Sequence, residues 1–214
     1  MSNPALSFPD ASATPPGRTI GIGVLLIWFS LVTWLAAQGA FLGARGAVPV
    51  ALILAFTTPI AAFLLAYRWS ENMRRFVLGA DLRLVVAVHA WRTLGFGFIV
   101  LHLNGILPAI FAWPAGLGDI AVAVAAPWLA VRLMRDPGYA RTRAFARWNW
   151  LGLSDFVVAM ATGALGSGLV PALVGQGPTT APMAMLPLSW VPTFLVPLMV
   201  MLHATALLQA RQRP

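Results

Sequence analysis

LVVAVHAWRTLGFGFIVLHLNGIL, residues 84–107, is the stretch that decides the fold. It is long enough to cross a bilayer as a helix, which takes about 20 apolar residues, and its one formal charge is Arg92. An ionisable group in hydrocarbon is costly enough that it is usually paired or functional. The same stretch therefore sets the class of the protein and marks where its site should be sought.

Working outward, five further apolar runs span Thr19 to Phe41, Ala47 to Tyr67, Ala115 to Leu133, Trp148 to Val170 and Pro187 to Gln209. The composition agrees: 59% of the 214 residues are hydrophobic and 9% charged, against roughly 25% charged in a globular chain. The expectation is an all-α membrane protein, a bundle of six transmembrane helices in one domain over residues 19–209. Residues 1–18 read as a disordered cytoplasmic tail, rich in proline, serine and alanine and without the basic start of a signal peptide. Residues 210–214 read as a short basic cytoplasmic tail.

Arginine placement predicts the orientation. Arg18 precedes the first run, and Arg68, Arg74, Arg75 and Arg83 lie between the second and third. Arg132, Arg135, Arg141, Arg143 and Arg147 bound or fill the next even connection, and Arg211 and Arg213 end the chain. All of these share one side, while the opposite connections hold only Arg45. The positive-inside rule then puts both termini in the cytoplasm, N-in and C-in, with the inner (plasma) membrane as the compartment. The net charge of +8 suits the bilayer and its anionic lipid headgroups rather than nucleic acid, because the arginines sit in short loops and form no separate basic domain. Lysine and cysteine are both absent, which excludes a retinal Schiff base, disulfides and cysteine nucleophiles. Most of the tryptophans fall near the ends of runs, as interfacial anchors do.

Depth can be counted at about 1.5 Å per residue. On that scale His89 and Arg92 lie roughly 8 to 12 Å from the cytoplasmic start of the third run, Asp155 about 10 Å into the fifth, and His203 roughly 9 Å from the end of the sixth. These four residues are the candidate proton- or solute-binding site. His89 and Arg92, three apart, face nearly the same way, and an Arg92–Asp155 ion pair is the most specific structural expectation. A second, outer polar level is expected from His102, Asn104 and Asp119, with Asp119 only about 6 Å below the interface. The bland alternatives are that the ion pair merely fixes two helices against one another, and that Asp119 caps its helix.

Two local patterns add to this. GLGDIAVAVAA (residues 116–126) and GLSDFVVAMAT (residues 152–162) share glycine, leucine, aspartate, valine and two alanines. Because their helices run in opposite directions, the match would place one aspartate near each membrane face. Asp155, Ala159, Gly163 and Ser167 recur every four residues and form a stripe of small side chains that lets helices approach closely or lines a pathway. The uncharged segment at residues 105–118, GILPAIFAWPAGLG, reads as a tight outer turn or a loop dipping into the membrane, and the uncharged residues 171–186 could cap an outward cavity.

No nucleophile elbow, phosphate loop, HExxH pair or cysteine cluster occurs, so no catalytic residue is assigned and no metal set is evident from spacing. Transport of protons or a small solute is the leading expectation, since intramembrane carboxylates and histidines beside an arginine are the parts of a proton relay. One alternative is a single b-type haem held by His89 and His203. Another is an intramembrane enzyme acting on a lipid or quinone, with a histidine and Asp119 or Asp155 as base and orienter, or with His89, His203 and Asp155 on a metal. A membrane scaffold or assembly partner without chemistry of its own is the plainest reading, and a chain this small often works as an oligomer.

Overall fold

The structure, a computed structural model, describes residues 16–212; residues 1–15 of the expected N-terminal tail and residues 213–214 of the basic tail lie outside them. Among the described residues there are helices and no strands. Six helices are long and apolar enough to cross a membrane, the make-up of a multi-pass membrane protein. They are α1 (Pro16–Ala37), α2 (Val50–Trp69), α4 (Leu82–Leu103), α5 (Ala109–Arg135), α6 (Arg143–Leu169) and α8 (Val191–Ala210). Two shorter helices, α3 (Glu71–Leu78) and α7 (Pro171–Val174), lie between them.

Polar caps mark the arginine-rich end of the bundle. Ser70 accepts the Met73 amide to start α3, Asp81 accepts the Arg83 amide to start α4, and Thr142 accepts the Phe145 amide to start α6. Each satisfies an orphan donor at a helix start. The Arg83 guanidinium beside Asp81 also holds that carboxyl below its usual range. From the same end, Gln209 near the finish of α8 donates to the Val77 and Ala80 carbonyls, tying α8 to the α3–α4 connection.

The sequence expectation for the fourth run needs correcting. Pro108 is the N-terminal cap of α5, and Pro114 lies inside the helix. The turn between α4 and α5 is confined to the few residues around Gly105, whose φ of +71° suits glycine. Of the two expectations for residues 105–118, the dipping loop is not found and the tight turn is confined to its first residues: most of the segment is the first turns of α5. Residues 171–186 fold over this same end, opposite the arginine-rich one, where Thr180 donates to the Gly163 carbonyl and Gly46 donates to the Ser167 carbonyl.

Helix α5 is the hub of the bundle, with buried residues along its whole length. Val85, Val86, Val122, Ala126, Leu129, Phe145, Trp148 and Ala206 form the core toward the arginine-rich end, and Phe98, Leu107, Phe111, Ala112, Ala115 and Met183 form one toward the other. Helix α2 buries no residue fully, and α1 is held at the periphery by Trp28 and Phe29 against Phe194 and Trp190. Most tryptophans are exposed, but Trp148 is buried and is no surface anchor.

Candidate functional site

A guanidinium joins four helices near their midpoints. Arg92 of α4 donates from Nε to Oδ1 of Asp119 on α5 (2.7 Å) and from Nη2 to Oδ2 of Asp155 on α6 (2.5 Å). From Nη1 it donates to Nε2 of His203 on α8 (3.2 Å) and points at the Gly152 carbonyl. Its carbon lies 4.0 Å from the centre of the Phe156 ring, a cation–π contact worth about 2 kcal/mol when desolvated. The Arg92 side chain is 3% exposed, and those of Asp119 and Asp155 are 16% and 10% exposed. One buried cation thus meets two carboxylates, and when both are ionised a single negative charge is left uncompensated.

Backbone geometry explains how Arg92 reaches this position. Residues Val88–Gly95, in the middle of α4, wind as a 3₁₀ helix. At three residues per turn, i, i+3 and i+6 fall on one line, and the buried residues of the segment are His89, Arg92 and Gly95. Gly95 then opens the space Asp119 occupies, since a Cβ there would collide with that carboxylate. Gly118 does the same for Asp155, and Gly152 for His203. Glycine on these faces is what lets charged side chains from neighbouring helices converge.

A chain of directed hydrogen bonds settles the state of His203. Asn149 donates its Nδ2 to the Phe145 carbonyl, so its Oδ1 is the acceptor facing His203 Nδ1 at 2.9 Å. Nδ1 therefore carries the proton and Nε2 presents its lone pair to Arg92, the neutral tautomer. His89 stacks on His203 with ring centres 3.8 Å apart and planes at 25°, and Trp148 meets both rings edge-on. Neither ring nitrogen of His89 has a hydrogen-bond partner among the described residues.

A cavity of about 630 Å³ runs from the loop residues Phe41–Arg45 and Thr179–Ala184 down to Asp119 and Asp155. Every member of the small-residue stripe, Asp155, Ala159, Gly163 and Ser167, lines it. The stripe is thus the wall of a passage as well as a packing surface. A second groove of about 480 Å³ lies between α4 and α8, bordered by the exposed Trp91 and Leu94, and reaches Arg92 and Asp119 from the side. Toward the arginine-rich end the space below Arg92 is filled by the core around Phe145 and Trp148.

Arg92, Asp155, His203 and His89 are thus brought together, but the outer polar level is not assembled. Asp119 lies ten residues into α5 and joins Arg92. The ring of His102 bonds the Leu107 carbonyl at 3.0 Å, and Asn104 donates to the Val100 carbonyl. The two GxxD units likewise put their aspartates on one guanidinium rather than at opposite faces.

A bis-histidine haem does not fit this arrangement. The stacked rings leave no space for a porphyrin between them, and both nitrogens of His203 are engaged. His89, His203 and Asp155 do not converge as metal ligands, and no group of three or more such residues does so among the described residues. Asn149, Phe156, Trp148 and the space-making role of Gly95, Gly118 and Gly152 escaped the sequence reading. Asn149 and Trp148 follow Arg147 at the very start of the apolar run, where they read as interface residues, although the GxxD repeat already singled out Gly116, Gly118 and Gly152.

Residues 49–211 match the family described as Domain of unknown function (DUF8737), and the chain belongs to it. The matched region begins just before α2 and includes every residue of the Arg92 cluster, leaving α1 outside. No curated protein and no solved structure matches the chain.

Proposed function

We propose that this protein is a small secondary transporter of the inner membrane, N-in and C-in, in which Asp155 and Asp119, held on Arg92, bind a proton or a small cation. The observation that carries the reading is the one-sided access to the carboxylates. The cavity reaches them from the loops bearing only Arg45, while the core around Phe145 and Trp148 closes the arginine-rich side. A binding site near the middle of the helices, open to one side, is the layout alternating access requires.

The backbone around the site supports this. Besides the 3₁₀ stretch in α4, α6 ends in a wide turn (Leu165–Leu169) kinked at Gly168, whose φ is +92°, and a π-helical turn begins α8 (Val191–Leu195). Such departures from α geometry often mark functional hinges. In the proposed orientation Arg68, Arg74, Arg75, Arg141 and Arg143 contact anionic headgroups of the cytoplasmic leaflet.

The test is proton flux in liposomes carrying the purified protein and an internal pH dye. An imposed proton gradient should collapse through the wild type, and Asp155→Asn should abolish that flux while leaving the protein monodisperse. Unchanged flux in a well-folded Asp155→Asn protein would remove the proposed role.

A further inference from the structure

We infer that the cargo of this site is a lipophilic monovalent organic cation, drawn from the bilayer or the outer cavity. The inference deepens the transport reading and rests on it.

Charge supplies the first argument. With both carboxylates ionised, their single guanidinium leaves one negative charge to be balanced, by a proton or by a bound cation, and a buried charge without a partner is costly. Asp119 Oδ2 and Asp155 Oδ1 take no part in the bonds to Arg92 and have no hydrogen-bond partner among the described residues. Both residues line the large cavity, whereas Arg92 borders only the lateral groove. A ligand arriving through the cavity therefore meets carboxylates at its floor. An anion is excluded by the same groups.

The walls supply the second. Above the carboxylates stand Phe98, Phe111, Met160 and Met183, surfaces that suit an apolar body and, through the two aromatic rings, a cationic one. A cavity of about 630 Å³ lies within the roughly 300–1,000 Å³ range of pockets for drug-sized ligands. A bare inorganic ion would leave most of that apolar wall unused.

Access supplies the third. The lateral groove shares Phe98, Asp119, Phe156, Val191 and Val196 with the cavity, so the two converge on Asp119 from different directions. Its outer border, Trp91 and Leu94, is 69% and 62% exposed on a face of α4 that would meet lipid. A hydrated ion has no route through such a groove, but a lipophilic cation partitioned into the bilayer does.

The experiment compares two ions of nearly equal size and apolar surface but opposite charge. Purified protein in detergent is titrated with radiolabelled tetraphenylphosphonium and, separately, with tetraphenylborate. Saturable binding of the cation is expected, with the anion weaker by roughly tenfold or more, as one mispaired buried charge requires. Ala159→Phe fills the cavity one turn above Asp155 without altering any charge, and should weaken tetraphenylphosphonium by roughly tenfold; Asp155→Asn should do the same. Equal binding of the two ions, or cation binding unchanged in Ala159→Phe, would overturn the assignment. If neither ion binds while Asp155→Asn still abolishes proton flux, the cargo assignment falls and the transport reading stands. If the cation binds as expected but flux is indifferent to Asp155→Asn, the binding site stands and the transport reading falls.

Discussion

Replacing Arg92 with methionine should destabilise the protein far more than neutralising either aspartate. Arg92 is almost fully buried and is the only cation bonded to Asp119 or Asp155 among the described residues. Arg92→Met leaves two carboxylates facing one another in a low-dielectric interior, and removing one side of a buried ion pair costs about 3–5 kcal/mol. For a chain of this size each kcal/mol moves the melting temperature by about 2–4 °C, so the expected loss is roughly 6–20 °C. Asp119→Asn acts differently. It keeps an oxygen for Arg92 Nε to donate to, and it brings the local charge from one negative to zero, so the shift should stay within about 1 kcal/mol, or roughly 4 °C. Replacing all three, Arg92→Met with Asp119→Asn and Asp155→Asn, removes every charge and should recover most of the loss, since a buried ion cluster replaced as a unit is often neutral. Differential scanning fluorimetry of the purified proteins in one detergent reads all three. Equal losses for Arg92→Met and Asp119→Asn, or a triple variant as unstable as Arg92→Met alone, would refute the charge count on which the site is understood.

Three further outcomes follow from the same geometry. Asn149→Leu removes the acceptor of His203 Nδ1 and should cost about 1–3 kcal/mol, with His203 in the wild type showing the Nδ1-protonated tautomer in ¹⁵N NMR of histidine-labelled protein; a spectrum of the other tautomer would contradict the relay. His89→Leu deletes two ring nitrogens that have no partner among the described residues and should leave the melting temperature unchanged or raised, because unsatisfied buried polar atoms only cost free energy; a large loss would mean His89 has a partner of its own. The chain has no cysteine, so single cysteines at exposed Gly43 and Ala144 can report topology directly: a membrane-impermeant maleimide applied to intact cells should label Gly43→Cys and spare Ala144→Cys, and the reverse pattern would invert the proposed orientation.

The pairing of Arg92 with Asp155 was legible because both lie at similar depth in runs that carry almost no other charge. The part Asp119 plays was hidden by the start of its helix. Pro114 and the neighbouring glycines read as a turn, which placed Asp119 close to the surface, whereas Pro108 caps the helix and α5 continues straight through Pro114. His102 and Asn104 looked like a site by residue type, yet each is satisfied by a carbonyl on its own helix or the turn that follows.

By itself the sequence determined the number and identity of the apolar helices, the arginine-rich end and the few residues able to do chemistry. Those are properties of local composition and of the cost of charge in hydrocarbon. Only the tertiary structure decided that one guanidinium gathers both aspartates and His203, that the small stripe of α6 faces a cavity, and that His89 is stacked and unbonded. The physical reason lies in the 3₁₀ winding of Val88–Gly95 and the glycines facing it. A change from 3.6 to three residues per turn realigns His89, Arg92 and Gly95, and missing Cβ atoms on adjacent helices make room for their partners, neither of which is written in the periodicity of any single segment.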